Sequence, residues 1–171
     1  MNEFCNALLS KTASPIIPPE HDLFGQFVGE WDFEWIRGKG TENERHEIGE
    51  WIFSWVLNGT AVQDVFAVPS RKENAINPKP DAETGTTIRY YNPENQSWDI
   101  FYGCTGELVR LNAVRENGKI VLTEITEGKM KWVFSDMKPD SFHWQHIKSN
   151  DNGATWYTHI DIFAKRKSEI M

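Results

Sequence analysis

The stretch Gly49-Glu50-Trp51-Ile52-Phe53-Ser54-Trp55-Val56-Leu57-Asn58-Gly59-Thr60-Ala61-Val62-Gln63-Asp64-Val65-Phe66 decides the fold. Before Asn58-Gly59, large aromatics recur at every second position: Trp51, Phe53 and Trp55. A period of two is the pattern of a strand with one buried face. Asn-Gly between two such runs signals a tight hairpin, because both residues tolerate the positive φ of a type I′ turn. The turn also sets the register. With Leu57 opposite Thr60, Trp55 falls opposite Val62, Phe53 opposite Asp64 and Trp51 opposite Phe66. An acidic side chain, Asp64, is therefore predicted on the aromatic face.

The same alternation precedes this hairpin. Over residues 30–36, Trp31, Phe33 and Trp35 share one face, and Asp32 and Glu34 the other. Beyond the hairpin, strands are predicted at 86–91, 98–102, 107–115, 119–126, 130–136, 142–148 and 156–165. Turn signals separate them: Asn92-Pro93, Gly103 to Gly106, Asn117-Gly118, Glu127-Gly128, Pro139-Asp140 and Asp151-Asn152-Gly153. About ten short strands with almost no helix predict a soluble all-β protein. Most connections are too short for Greek-key crossings, and closure removes exposed edges. The expected architecture is a single antiparallel up-and-down barrel of about 8–10 strands.

Residues 1–20 are expected to be irregular, with Pro15, Pro18 and Pro19 breaking any helix. Residues 21–171 then form the barrel domain. Residues 21–28 are expected to make one short helical turn, whose Leu23, Phe24, Phe27 and Val28 plug one barrel end. Residues 69–84, with Pro69, Pro78 and Pro80, read as a long polar loop, either a lid or a mobile segment.

Composition narrows the function classes. The chain has 171 residues, 25 acidic and 18 basic side chains, and a formal net charge of −7. An acidic surface argues against nucleic acid as a partner. No apolar run approaches the ~18 residues that would span a membrane, and residues 1–10 lack the basic-then-apolar pattern of a signal peptide, so a cytoplasmic protein is the expectation. Two distant cysteines, Cys5 and Cys104, imply neither a disulfide framework nor a cysteine-based zinc site. The oligomeric state is left open. The eight tryptophans, ten phenylalanines and four tyrosines suit either a filled aromatic core or an aromatic-lined ligand cavity.

Gly29-Glu30-Trp31, opening the first long strand after the plugging turn, resembles the Gly-x-Trp signature of the calycin superfamily of lipocalins and fatty-acid-binding proteins. The resemblance implies that Trp31 closes the barrel floor and that a basic residue of the last strand, Arg166 or Lys165, packs across it. More of the chain is similar to an uncharacterised bacterial calycin-like group: Phe27-Val28-Gly29-Glu30-Trp31-Asp32, Gly49 to Gly59, Ala61-Val62-Gln63-Asp64-Val65, and Arg89-Tyr90-Tyr91-Asn92-Pro93 with Trp98. That group implies no activity. Ser149-Asn150-Asp151-Asn152-Gly153-Ala154-Thr155-Trp156 resembles the Asp-box of sialidase propellers. A single copy in one barrel implies a turn device.

Asp64, Arg89, Tyr91, Arg110 and Glu124 are candidates for an interior polar cluster. A carboxylate buried among aromatics must be paired or protonated. Of the histidines, His143 and His146 lie on opposite strand faces, so at most one joins His159 in the interior. That argues against a two-histidine metal site, and leaves a lone haem-ligating histidine as an open alternative. No metal and no cofactor is otherwise implied. The leading expectation is a barrel that binds a small, partly apolar molecule through Trp35, Trp51, Phe53, Trp55 and Phe66, with Asp64 and Arg89 on its polar end. The alternative is a small cofactor-free lyase or isomerase using an interior carboxylate with Arg or Tyr.

Overall fold

The computed structural model describes residues 2–168, so the last three residues of the expected barrel domain lie outside it. The strands are β1 (Leu9–Ser10), β2 (Gly29–Arg37), β3 (Arg45–Val56), β4 (Ala61–Val68), β5 (Glu83–Asn92), β6 (Ser97–Cys104), β7 (Glu107–Glu116), β8 (Lys119–Glu124), β9 (Met130–Lys138), β10 (Ser141–Lys148) and β11 (Tyr157–Arg166). From β2 onward each strand pairs antiparallel with the next, and β11 returns to pair with β2. The result is a closed ten-strand up-and-down barrel. Closure satisfies every strand's neighbours on both sides. The short β1 pairs with the end of β3, at Leu9–Val56 and Ser10–Trp55, where β3 outruns β2.

The hairpin between β3 and β4 has the expected register: Trp51 opposite Phe66, Phe53 opposite Asp64, and Trp55 opposite Val62. Asn58 and Gly59 take the positive φ of the turn, at 56° and 76°. Leu57 joins them at 53°, so the ladder ends one pair early, at Val56–Ala61. Gly59 is needed for a second reason. The N-terminal segment crosses over it, with Ser14 N–H donating to the Gly59 carbonyl at 2.9 Å, and a Cβ there would strike the backbone of Thr12.

Two segments expected to lack regular structure contain helices. Residues 1–20 include α1 (Glu3–Leu8), whose Asn2 side chain accepts the Cys5 N–H at 3.0 Å. The prolines begin only at residue 15, too late to prevent it. The 69–84 loop carries α2 (Arg71–Ile76), capped by Ser70, whose hydroxyl accepts the Glu73 N–H. Ser70-x-x-Glu73 has the spacing of a capping box.

The residues before β2 form two 3₁₀ turns, Pro19–His21 and Gly25–Phe27. They drive Leu23, Phe24 and Phe27 into one end of the barrel, as expected. Phe24 meets Trp98 and Phe134 edge to face, and Phe27 packs on Phe53, Phe134 and Phe142. Arg166, not Lys165, covers Trp31, with its guanidinium 4.1 Å from the ring centroid. It also donates to the carbonyls of Val28, Gln26 and Pro139 at 2.7–2.8 Å. Gly29 makes this possible: its φ is +128°, and a Cβ there would collide with the guanidinium. This end is closed and filled.

Candidate functional site

The opposite end is open. Its rim is made by the end of β2, the start of β5, the end of β6, the start of β7, the end of β10 and the start of β11. Inward positions at this end enclose a cavity of about 280 Å³, near the lower limit of ordinary ligand pockets, roughly 300 Å³. Trp51 and Phe66 line its inner end, and Trp35, Trp132 and Trp144 its sides. Tyr102 on β6 lays its ring over Gly85 of the adjacent strand β5, where a Cβ would overlap the phenol.

A bulge supplies one of the polar side chains. On β10 the inward positions are Phe142, Trp144, His146 and Lys148. Ile160 pairs with His146 and Thr158 with Ile147, so His159 is the extra residue on β11. Strict alternation would send Ile160 inward and His159 outward. The bulge sends both into the cavity, which is what bulges near functional sites do. His146 and His159 meet edge to face with ring centroids 5.2 Å apart. Burial, with help from Lys148 and His159, pushes the His146 imidazole down to about 3. Burial, then Lys148 and Arg37, also lowers His159. Both rings are therefore held toward the neutral state at pH 7.

Several residues that line the cavity hold buried polar atoms that the protein leaves unmatched. Among the described residues, six buried side-chain nitrogens lack a hydrogen-bond partner, and four belong to cavity residues: Nε1 of Trp51, Trp132 and Trp144, and Nε2 of His146. By contrast, the indoles of Trp31, Trp98 and Trp156 donate to the carbonyls of Phe27, His21 and Gly153. Tyr102 donates to Glu83, and burial followed by that bond raises its phenol well above the ordinary value.

The sequence-predicted site residues fall into two layers. Trp35, Trp51 and Phe66 line the cavity. Phe53, Trp55, Asp64 and Arg89 point inward but sit deeper, in the filled half. Phe53 is stacked among Trp51 and Phe27, and Trp55 lies beside Gly25 of the plug. Asp64 is on the aromatic face, as the register requires, and forms a sealed ion pair with Arg89 at 2.5 Å. Its other oxygen accepts the Thr87 N–H at 2.9 Å. Asp64 is therefore already engaged, and the carboxylates that reach the cavity are Glu83 and Glu107.

The wider interior polar cluster does not form. Arg110 alternates outward and lies over Phe101, Glu124 accepts backbone N–H groups of its own turn, and Tyr91 packs on His21 and Trp98 near the plug. His143 faces outward, paired with Asp161 at 2.7 Å and stacked on Phe163. Among the described residues no group of three or more His, Cys, Asp or Glu is placed to hold a metal, and Cys5 and Cys104 are free thiols.

The Asp-box hairpin is a turn device beside the mouth. Asp151 accepts the Thr155 N–H at 2.8 Å and its hydroxyl at 2.6 Å, Ser149 accepts the Gly153 N–H, and Trp156 donates to Gly153.

No protein-family model and no curated protein matches the chain. Among solved structures it is similar to the crystal structure of Rv2717c from M. tuberculosis, at 9% sequence identity and a TM-score of 0.58. The match covers 91% of this chain and 99% of that one. At that identity the likeness is one of fold: the barrel is a recurrent architecture and not an isolated one. No described helix is long and apolar enough to cross a membrane.

Proposed function

We propose that this protein is a calycin-like barrel that binds a small, partly apolar molecule in its open mouth. The carrying observation is the open, aromatic-walled cavity of about 280 Å³, whose lining residues also hold three indole N–H groups and one imidazole nitrogen buried in the wall without partners. A buried polar group left unpaired costs about 1–3 kcal/mol. Four such groups in the walls of one cavity are hydrogen-bonding capacity that a bound molecule can use once those side chains turn toward it. Support for the calycin-like reading comes from the sequential closed meander and from Gly29-x-Trp31 lying under Arg166. Ligand contact then rests on Trp35, Trp51 and Phe66, together with Trp132, Trp144 and the two histidines. Asp64 and Arg89 serve the scaffold beneath.

Native mass spectrometry of protein purified from its own source tests this. The expected result is a retained small molecule that is lost in a Trp132→Ala variant of unchanged melting temperature. Trp132 is only half-buried, so its removal spares the filled half of the barrel. A Soret band would identify haem and overturn a small-ligand reading. Retention unaffected by Trp132→Ala would place the molecule elsewhere.

A further inference from the structure

The charges at the mouth are sorted onto opposite walls. Arg37, His159 and the pair His146 and Lys148 come from β2, β11 and β10, which are adjacent in the barrel. Glu83, Tyr102 and Glu107 come from β5, β6 and β7, which are also adjacent. The central strands of the two sets, β11 and β6, lie five strands apart whichever way the ten-strand ring is followed. One wall is therefore basic, the other acidic, and they are diametrically opposed. Among the described residues, none of Arg37, Lys148, Glu83 and Glu107 has an ion-pair partner within 4.0 Å. Trp132 of β9, with Trp51 of β3 and Phe66 of β4 deeper in, stands on the strands between the two walls, while Trp35 and the unpartnered, more than nine-tenths buried Trp144 line the same space from the strands of the basic wall.

Resting on the reading of the mouth as a ligand site, we propose that its occupant is a small aromatic molecule carrying an anionic group at one end and a cationic group at the other. The anion lies against Arg37, Lys148 and the two imidazoles, where basic side chains and hydrogen-bond donors are gathered. The cation lies against Glu83 and Glu107. The ring stacks among the tryptophans, which suit a flat π-face. The separation of the walls requires the two charges at opposite ends of the ring, and a compact α-amino acid head does not meet it.

Four probes with one ring skeleton test this by calorimetric titration at pH 7: 4-(aminomethyl)benzoate, 4-methylbenzoate, 4-methylbenzylammonium and p-xylene. The doubly charged probe is expected to bind about tenfold tighter than either singly charged one, since each partly desolvated charge contact adds to affinity. Arg37→Gln, at an exposed rim position, is expected to weaken only the two carboxylate probes, and Glu107→Gln only the two ammonium probes, each by about threefold or more. Equal affinities for all four probes would overturn the charge pairing while leaving the mouth as a binding site. No binding by any probe would overturn both this proposal and the reading beneath it.

Discussion

The guanidinium of Arg89 meets the carboxylate of Asp64 at 2.5 Å in the middle of the barrel, with the two side chains 1% and 0% exposed. The same guanidinium lies 5.1 Å from the Phe24 ring and 5.2 Å from the Phe53 ring. The pair therefore joins the β3–β4 hairpin, β5 and the plug, one layer below the cavity. Truncating one member of a buried ion pair strands a charge, whereas replacing both by apolar groups need not. Asp64→Leu is expected to lower stability by about 3–5 kcal/mol, and the double variant Asp64→Leu with Arg89→Met to recover most of that loss. Urea unfolding measures both. A ligand-binding defect in a fully stable Asp64→Asn protein would instead give the pair a direct role at the mouth.

Arg166 fastens the closed end. It stacks on Trp31 and donates to three carbonyls from two separate segments, 26–28 and 139. Arg166→Ala is expected to cost about 2 kcal/mol through the stacking and charge-assisted bonds combined. Arg166→Lys should fail to restore it, because an ammonium has neither the planar face nor the fork. Equal melting temperatures for the lysine variant and the parent would show that charge alone matters there.

The mouth histidines make stability sensitive to mild acid. The His146 imidazole is held down to about 3 by burial and then by Lys148 and His159, while an unfolded histidine titrates near 6.5. Above that value both states are neutral and nothing is lost. Below it the unfolded chain takes up a proton that the folded one refuses, so stability falls as the pH drops toward about 3, by up to about 1.4 kcal/mol per unit. His146→Phe is expected to flatten this limb in urea titrations between pH 7 and pH 5, leaving the smaller part owed to His159. An unchanged slope would mean that His146 protonates freely in the folded protein.

The barrel was legible because its strands are antiparallel, short and separated by strong turns. One dipeptide, Asn58-Gly59, fixed the relation of Trp51, Phe53 and Asp64 to their partners across β4. The plug was legible from Phe24 and Phe27 preceding Gly29-x-Trp31. The depth of the site was not. Trp35, Trp51, Phe53 and Trp55 share one periodicity, and nothing in it tells which of them stand in the open mouth and which beneath it. That depends on how far Phe24 and Phe27 reach down the barrel, a tertiary fact. His159 is placed inside by a bulge that no local pattern marks, since nothing in the sequence of β11 singles out its extra residue. The helix α2 had a visible signal, Ser70-x-x-Glu73, masked by the three prolines around it.

The most direct test of the mouth as the ligand site uses the tryptophans as its reporters. In ¹H–¹⁵N spectra each indole N–H gives a resolved signal, and the protein contains its own controls. Those of Trp31, Trp98 and Trp156 are bonded to carbonyls, and those of Trp51, Trp132 and Trp144 are unpartnered and belong to residues lining the cavity. The spectra would be recorded while adding the four para-substituted probes and then a low-molecular-weight extract of the source cells. Saturable shifts confined to Trp51, Trp132, Trp144 and the neighbouring Trp35 are the expected result. Shifts at Trp31, Trp98 or Trp156 instead, or no shift at any indole with either the probes or the extract, would contradict a ligand site in the mouth of the barrel.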